Sequence, residues 1–163
     1  MRLRTGFLAG CLLAAASLGG MADTGGLLTA NPADWPTYAG DYSGQRHSAL
    51  KQITPANAHM LAAAWAYHML GQSQLEATPI VSNGVMYISQ FNRVDAIDAA
   101  HGNLIWQYQH QPIVGGAQRG TGIFANKLFV TTADQHLVAL DARTGAVQWK
   151  TDPVKTLPEN PTF

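Results

Sequence analysis

Cysteine is almost missing from this chain of 163 residues: Cys11 is the single example, and it sits near the start. One thiol cannot close a disulfide within the chain, so no bridge staples the fold. Charge is scarce as well, at 12% of residues, and the ten basic side chains balance the ten acidic ones. Without a basic run or stripe there is little for nucleic acid or an anionic membrane to hold. No apolar run reaches the roughly 20 residues of a membrane-spanning helix. Also absent are a P-loop, a dinucleotide-binding fingerprint, a nucleophile elbow and a CxxCH haem-attachment motif. The six histidines, His47, His59, His68, His101, His110 and His136, lack the short spacing of zinc ligands, and most of them read as surface residues. No metal ligand and no catalytic residue is therefore expected within these 163 residues. What remains is a chain with 47% hydrophobic residues, enough for a packed core, and a neutral surface suited to a small neutral partner.

Residues 1–22 stand apart from the rest. Arg2 and Arg4 precede an apolar stretch over residues 6–18, which runs into the small residues "GGMA". That order is the order of a secretory signal, with a cut after Ala22 and with Gly20 and Ala22 in the small-residue positions. Such a cut would remove Cys11. The alternative is that "LAG" before Cys11 is a lipidation box, which would give peripheral membrane association.

The remainder of the chain repeats itself. Residues 77–108 and 120–151 align without a gap at a spacing of 43, which sets Ile80 with Ile123, Val85 with Leu128, Asp98 with Asp141, Gly102 with Gly145 and Trp106 with Trp149. Self-similarity at that period marks a repeat architecture. Each copy holds short β-branched and aromatic runs, "VMYIS" and "LFVTT", then "RVDAID" and "HLVALD", separated by turn dipeptides. Asn83-Gly84 is the first such turn and Asn126-Lys127 is expected to be its counterpart. His136 shares its repeat position with Arg93, which reads as a solvated turn. The tryptophans fall on the last run of each copy and read as packing residues between neighbouring units.

Four short strands in about 43 residues are the unit of a β-propeller blade. The expected fold is all-β, with about two blades here and an incomplete ring, so the chain is expected to be the opening part of a longer protein. Trp65, 41 residues before Trp106, marks residues 61–69 as an isolated outer strand that closes the last blade; a short helix is the competing reading. The domain plan is a signal at 1–22, an extended segment at 23–60 and the propeller from 61 to 163.

Residues 34–67, "DWPTYAGDYSGQRHSALKQITPANAHMLAAAWAY", fall outside the repeat. Trp35, Tyr38, Asp41, Arg46, Ser48, Ile53, Asn57, Leu61 and Trp65 resemble the opening of the pyrroloquinoline quinone (PQQ)-dependent alcohol and methanol dehydrogenases, and "LDARTGAVQWK" resembles their tryptophan-docking repeat. The resemblance implies an eight-bladed periplasmic propeller holding PQQ and a calcium or lanthanide ion. It implies oxidation of an alcohol to an aldehyde, with electrons passed to a cytochrome c. Glu76 in "QLEATPIV" and Arg119 in "AQRGTGI" match the family's cofactor-binding positions, while its metal ligands and general base would fall after Phe163. The family's adjacent cysteine pair is replaced here by "IVGGAQ" at 113–118, so that disulfide cannot form. This departure keeps open a second reading, a non-catalytic propeller scaffold like the outer-membrane assembly lipoprotein, which binds no PQQ.

Overall fold

The computed structural model describes residues 31–69, 75–90, 92–111 and 118–152. The signal at 1–22, Cys11, Gly115-Gly116 and the final residues lie outside the described residues. Two four-stranded antiparallel sheets account for almost all the regular structure, each with its strands side by side in chain order. The first is β1 (Ile80–Ser82), β2 (Val85–Gln90), β3 (Arg93–Asp98) and β4 (Leu104–Gln109). The second is β5 (Gly122–Phe124), β6 (Lys127–Thr131), β7 (Leu137–Asp141) and β8 (Val147–Thr151). The expectation of two four-stranded blades with a tryptophan on each outer strand holds. Helix is confined to one 3-10 turn at Ala58–Met60 among the described residues.

Turn chemistry sets the first hairpin. Asn83 and Gly84 both take positive φ, +52° and +77°, the pair of left-handed residues that matches the twist of a two-residue hairpin. Ser82 then pairs with Val85, and the ladder continues through β3 and β4 with one bulge between Ala96 and Ile97. The second sheet has its bulge at the equivalent place, between Ala139 and Leu140.

Hydrogen-bond register corrects the gapless alignment. Tyr87, Ala96 and Trp106 stand opposite one another across β2, β3 and β4, as Phe129, Ala139 and Trp149 do across β6, β7 and β8. From Tyr87 to Phe129 is 42 residues, whereas from Ala96 to Ala139 and from Trp106 to Trp149 is 43. Leu128 is thus the counterpart of Met86 rather than Val85, and Gly122 that of Ile80. The second hairpin turns at Ala125-Asn126, one residue earlier than expected, because Phe124 pairs with Lys127. The additional residue is in the connection from β6 to β7. Gln90 pairs with Arg93 across two residues, but Thr132 and His136, joined by a 2.9 Å backbone bond, enclose three.

The two sheets share one core. Ile80, Tyr87, Val94, Ala96 and Trp106 from the first pack with Leu128, Val130, Val138, Leu140 and Ala142 from the second. Trp106 is the pivot of that packing. Its ring lies against Gly145 in the turn before β8, and its Nε1–H donates to the Ala142 carbonyl at 3.0 Å. The Tyr87 hydroxyl donates to the same carbonyl at 3.1 Å. Trp65 lies against Gly102 in the same manner, one sheet earlier. Residues 61–69 form neither helix nor ladder, so the helical alternative fails, and the segment meets the first sheet through its side chains. Tyr67 donates to Asp95 Oδ2 at 2.9 Å.

Asp95 explains a second correction. β3 is buried on both faces, and Arg93 is 8% exposed rather than standing in a solvated turn. Its guanidinium makes a two-pronged contact with the fully buried Asp95, Nε to Oδ1 and Nη2 to Oδ2, each at 2.8 Å. A buried charge persists only when paired and hydrogen-bonded, and here the pair is completed by the Tyr67 hydroxyl.

Candidate functional site

Glu76 and Arg119 lie in the segments that lead into β1 and β5, the first strands of the neighbouring sheets. Each segment is pinned beside the charged residue. Ala77 is buried next to Glu76, and Gln118 is buried next to Arg119. The Gln118 side chain accepts from the Asn92 backbone N–H at 2.9 Å and donates to the Thr131 carbonyl, so it anchors the approach to β5 on both sheets. Gly120, at φ +128°, then turns the chain through a conformation that side-chain-bearing residues rarely adopt. The anchors hold the backbone and leave the Arg119 side chain outward, 80% exposed.

The structure brings the two charges together: Arg119 Nη1 is 3.1 Å from Glu76 Oε2. They are not strictly equivalent positions, since the 42-residue step of the first hairpins sets Glu76 against Gln118 and Ala77 against Arg119. This one-residue stagger is compatible with the contact, because long side chains bridge it. An exposed pair of this kind contributes only about 0–1 kcal/mol to stability. Chemically it offers a planar fork of donors beside a carboxylate, the set that engages carboxylate or quinone oxygens of a small polyanion.

A second group was not legible in the sequence. His110 follows β4, Asp134 lies in the three-residue loop between β6 and β7, and His136 closes that loop; their ligand atoms all lie within 4.8 Å of one another. The short-spacing reading of the histidines did not bring these three together, and the placing of His110 is corrected, since it is buried and not at the surface. Separation of 24 residues between His110 and Asp134 hid the cluster from any search for short ligand spacing. The remaining histidines keep to expectation: His47, His59, His68 and His101 are exposed.

Of the opening segment, Trp35 pairs with the edge strand through two backbone bonds to Val81, at 2.8 and 2.9 Å. Asp34 accepts from the Asn83 N–H at 2.9 Å, tying the same segment to the first turn. Arg46 sits over the Tyr38 ring, 4.5 Å from its centroid, and Asn57 organises the turn around Thr54 by accepting from its N–H and hydroxyl. These residues shape the segment and meet neither Glu76 nor Arg119 in any contact found among the described residues.

Comparison with known proteins follows the same residues. The family model for the β-propeller domain of glucose/ethanol/alcohol dehydrogenases, PQQ, matches residues 35–146. A quinohemoprotein alcohol dehydrogenase of Comamonas testosteroni is 39% identical over 137 residues, which is 77% of this chain and 19% of that protein. A 1-butanol dehydrogenase (cytochrome c) of Thauera butanivorans is 39% identical over 126 residues, 72% of this chain and 18% of that one. The crystal structure of the Comamonas protein superposes with a TM-score of 0.66 at 38% identity, covering 73% of this chain and 19% of that chain. A europium-containing methanol dehydrogenase gives a TM-score of 0.65 at 27% identity, covering 76% of this chain and 23% of the other. The chain spans about a fifth of the length of the curated relatives it matches.

Proposed function

From the premise that this chain belongs to the PQQ β-propeller family of glucose/ethanol/alcohol dehydrogenases, we propose that it forms the opening blades of a PQQ-dependent alcohol dehydrogenase. The observation that carries the reading is the Glu76–Arg119 pair at 3.1 Å, at the entries of neighbouring sheets. Its donor set fits PQQ, a planar ortho-quinone with several carboxylates. Arg119 would bind a carboxylate or quinone oxygen through its fork, and Glu76 would hold the guanidinium in place or accept from a protonated group on the ring. When bound, PQQ supplies a two-electron acceptor for the hydride equivalent of an alcohol carbon. The hydroxyl proton leaves to a base and the product is an aldehyde. A calcium or lanthanide ion and a cytochrome c acceptor complete the proposed enzyme, and the ion's ligands belong to blades outside this chain. The two blades alone would be inactive.

The site is proposed to be periplasmic, on the strength of the signal-like residues 1–22. The test is a titration of apo-protein, in the complete propeller, with PQQ followed by quinone absorbance. A charge-assisted contact contributes about 1.5–3 kcal/mol, so Arg119→Ala should weaken binding by roughly one to two orders of magnitude. Arg143→Ala, on the exposed turn before β8, should leave it unchanged. Equal affinity for wild type and Arg119→Ala would overturn the cofactor role. Failure of all forms to bind PQQ would transfer the reading to a non-catalytic scaffold.

A further inference from the structure

We propose that His110, Asp134 and His136 form a binding site for a single divalent transition ion of the zinc type, separate from the Glu76–Arg119 site and independent of PQQ. His110 Nε2 lies 3.0 and 3.1 Å from the two Asp134 oxygens, and His136 Nδ1 lies 3.1 Å from Oδ2. Zinc bonds of about 2.0–2.1 Å in tetrahedral geometry hold neighbouring ligand atoms about 3.3 Å apart. Two of the three separations are already in that range. The third, between the two imidazoles, is within 4.8 Å, and it has to shorten for the three atoms to share one ion.

The state of His136 points the same way. Its Nδ1 is buried, and its one polar neighbour within ion-pair reach is Asp134 Oδ2, 3.1 Å away, without a hydrogen bond of good geometry between them. A buried polar atom left unpaired calls for a partner. Two imidazoles and one carboxylate are the ligand set that suits zinc, and that copper and nickel also favour.

The groups behind the ligands are in place as well. Tyr108 Oη is 3.0 Å from His110 Nδ1, so with Nε2 directed at a metal, Nδ1–H donates to the hydroxyl oxygen and fixes the tautomer. The Thr132 hydroxyl donates to Asp134 Oδ1. The backbone is clamped too: His110 N–H donates to the Asn92 carbonyl at 2.7 Å, and Asn92 Oδ1 accepts from Ala133 N–H at 2.8 Å. The ligands therefore come from both sheets and are held before any ion arrives. Since His110 belongs to one sheet and the other two to the next, the ion would act as a cross-link between adjacent blades.

The test is isothermal titration of the full chain, made without a polyhistidine tag and stripped by chelator, with zinc chloride; cobalt(II) absorbance reports the geometry. One ion per chain is expected, with a cobalt spectrum of low coordination number. His136→Gln, on a loop residue that is not part of the core, should weaken binding at least tenfold, as should Asp134→Asn. Tyr108→Phe should weaken it by roughly 10-fold while leaving the stoichiometry at one. His101→Gln, at the exposed pair with Asp98, should change nothing. No binding by the wild type would overturn the proposal. So would binding that survives His136→Gln undiminished, or that is lost equally with His101→Gln.

Discussion

A methyl group added at Gly145 would test the packing that joins the two sheets. It would lie 2.6 Å from Trp106 Cε3 and 2.8 Å from Cδ2, closer than carbon atoms approach, and the ring cannot retreat because its Nε1–H is held by the Ala142 carbonyl. Two costs then add. Gly145 has φ +74°, and a side chain in that left-handed region costs about 1–2 kcal/mol. Forcing a methyl into a filled site costs about 1–3 kcal/mol more. Gly84 separates the two, since it has φ +77° with nothing within 4 Å of the added carbon. Gly84→Ala should therefore lose only the backbone part, about 1–2 kcal/mol, and Gly145→Ala should lose about 2–5 kcal/mol. Urea unfolding followed by tryptophan fluorescence measures both variants. The fluorescence maximum should also shift in Gly145→Ala alone, as Trp106 is displaced from its buried site. Equal losses for the two variants would refute the docking argument, leaving only the shared backbone effect.

The buried Arg93–Asp95 pair and the exposed Arg119–Glu76 pair should differ sharply. Asp95→Asn strips the carboxylate from a buried guanidinium and should destabilise by about 3–5 kcal/mol, whereas Arg119→Ala should change stability by less than about 1 kcal/mol, both read from denaturant midpoints. Acid should weaken the fold through Asp134. Its folded pKa is depressed below the unfolded carboxylate value of about 3.9, so its contribution is present above that value and is lost as pH falls below it. Unfolding midpoints taken from pH 6 down to pH 2 should fall less steeply in Asp134→Asn than in the wild type, and parallel curves would remove Asp134 from the account.

Short-range signals were the legible part of this fold. The hairpin at Asn83-Gly84 and the turn glycines Gly102 and Gly145 depend on residues close in the chain, the period that sets Trp106 against Trp149 depends on recurrence alone, and each is found where expected. Glu76 and Arg119 came from the resemblance of the surrounding segment and not from local signals, and the structure sets them 3.1 Å apart. Spacing alone would have misplaced them, because the apparent 43-residue equivalence is one residue out on that side of the repeat. Arg93 was misread because a charged side chain at the start of a strand looks solvated until its partners are known. Those partners, Asp95 and Tyr67, come from two residues along the same strand and from a segment 28 residues upstream of Asp95.

Both failures of the repeat occur in one place, and they have one cause. Had the link from β6 to β7 matched the two-residue link from β2 to β3, the period would have been uniform at 42 and the turn would have had no room for a second ligand. The additional residue lengthens the loop to Ala133, Asp134 and Gln135, with Gln135 at φ +64° reversing the chain, and this sets Asp134 and His136 on the same side, facing His110. An ungapped alignment absorbs that residue by sliding the preceding strands, so it loses the insertion and the cluster together. Hydrogen-bond register recovers both, since it fixes Thr132 opposite His136 without reference to sequence likeness. In a repeat protein the scaffold is written in what recurs, and a site peculiar to one chain is to be sought where the recurrence breaks.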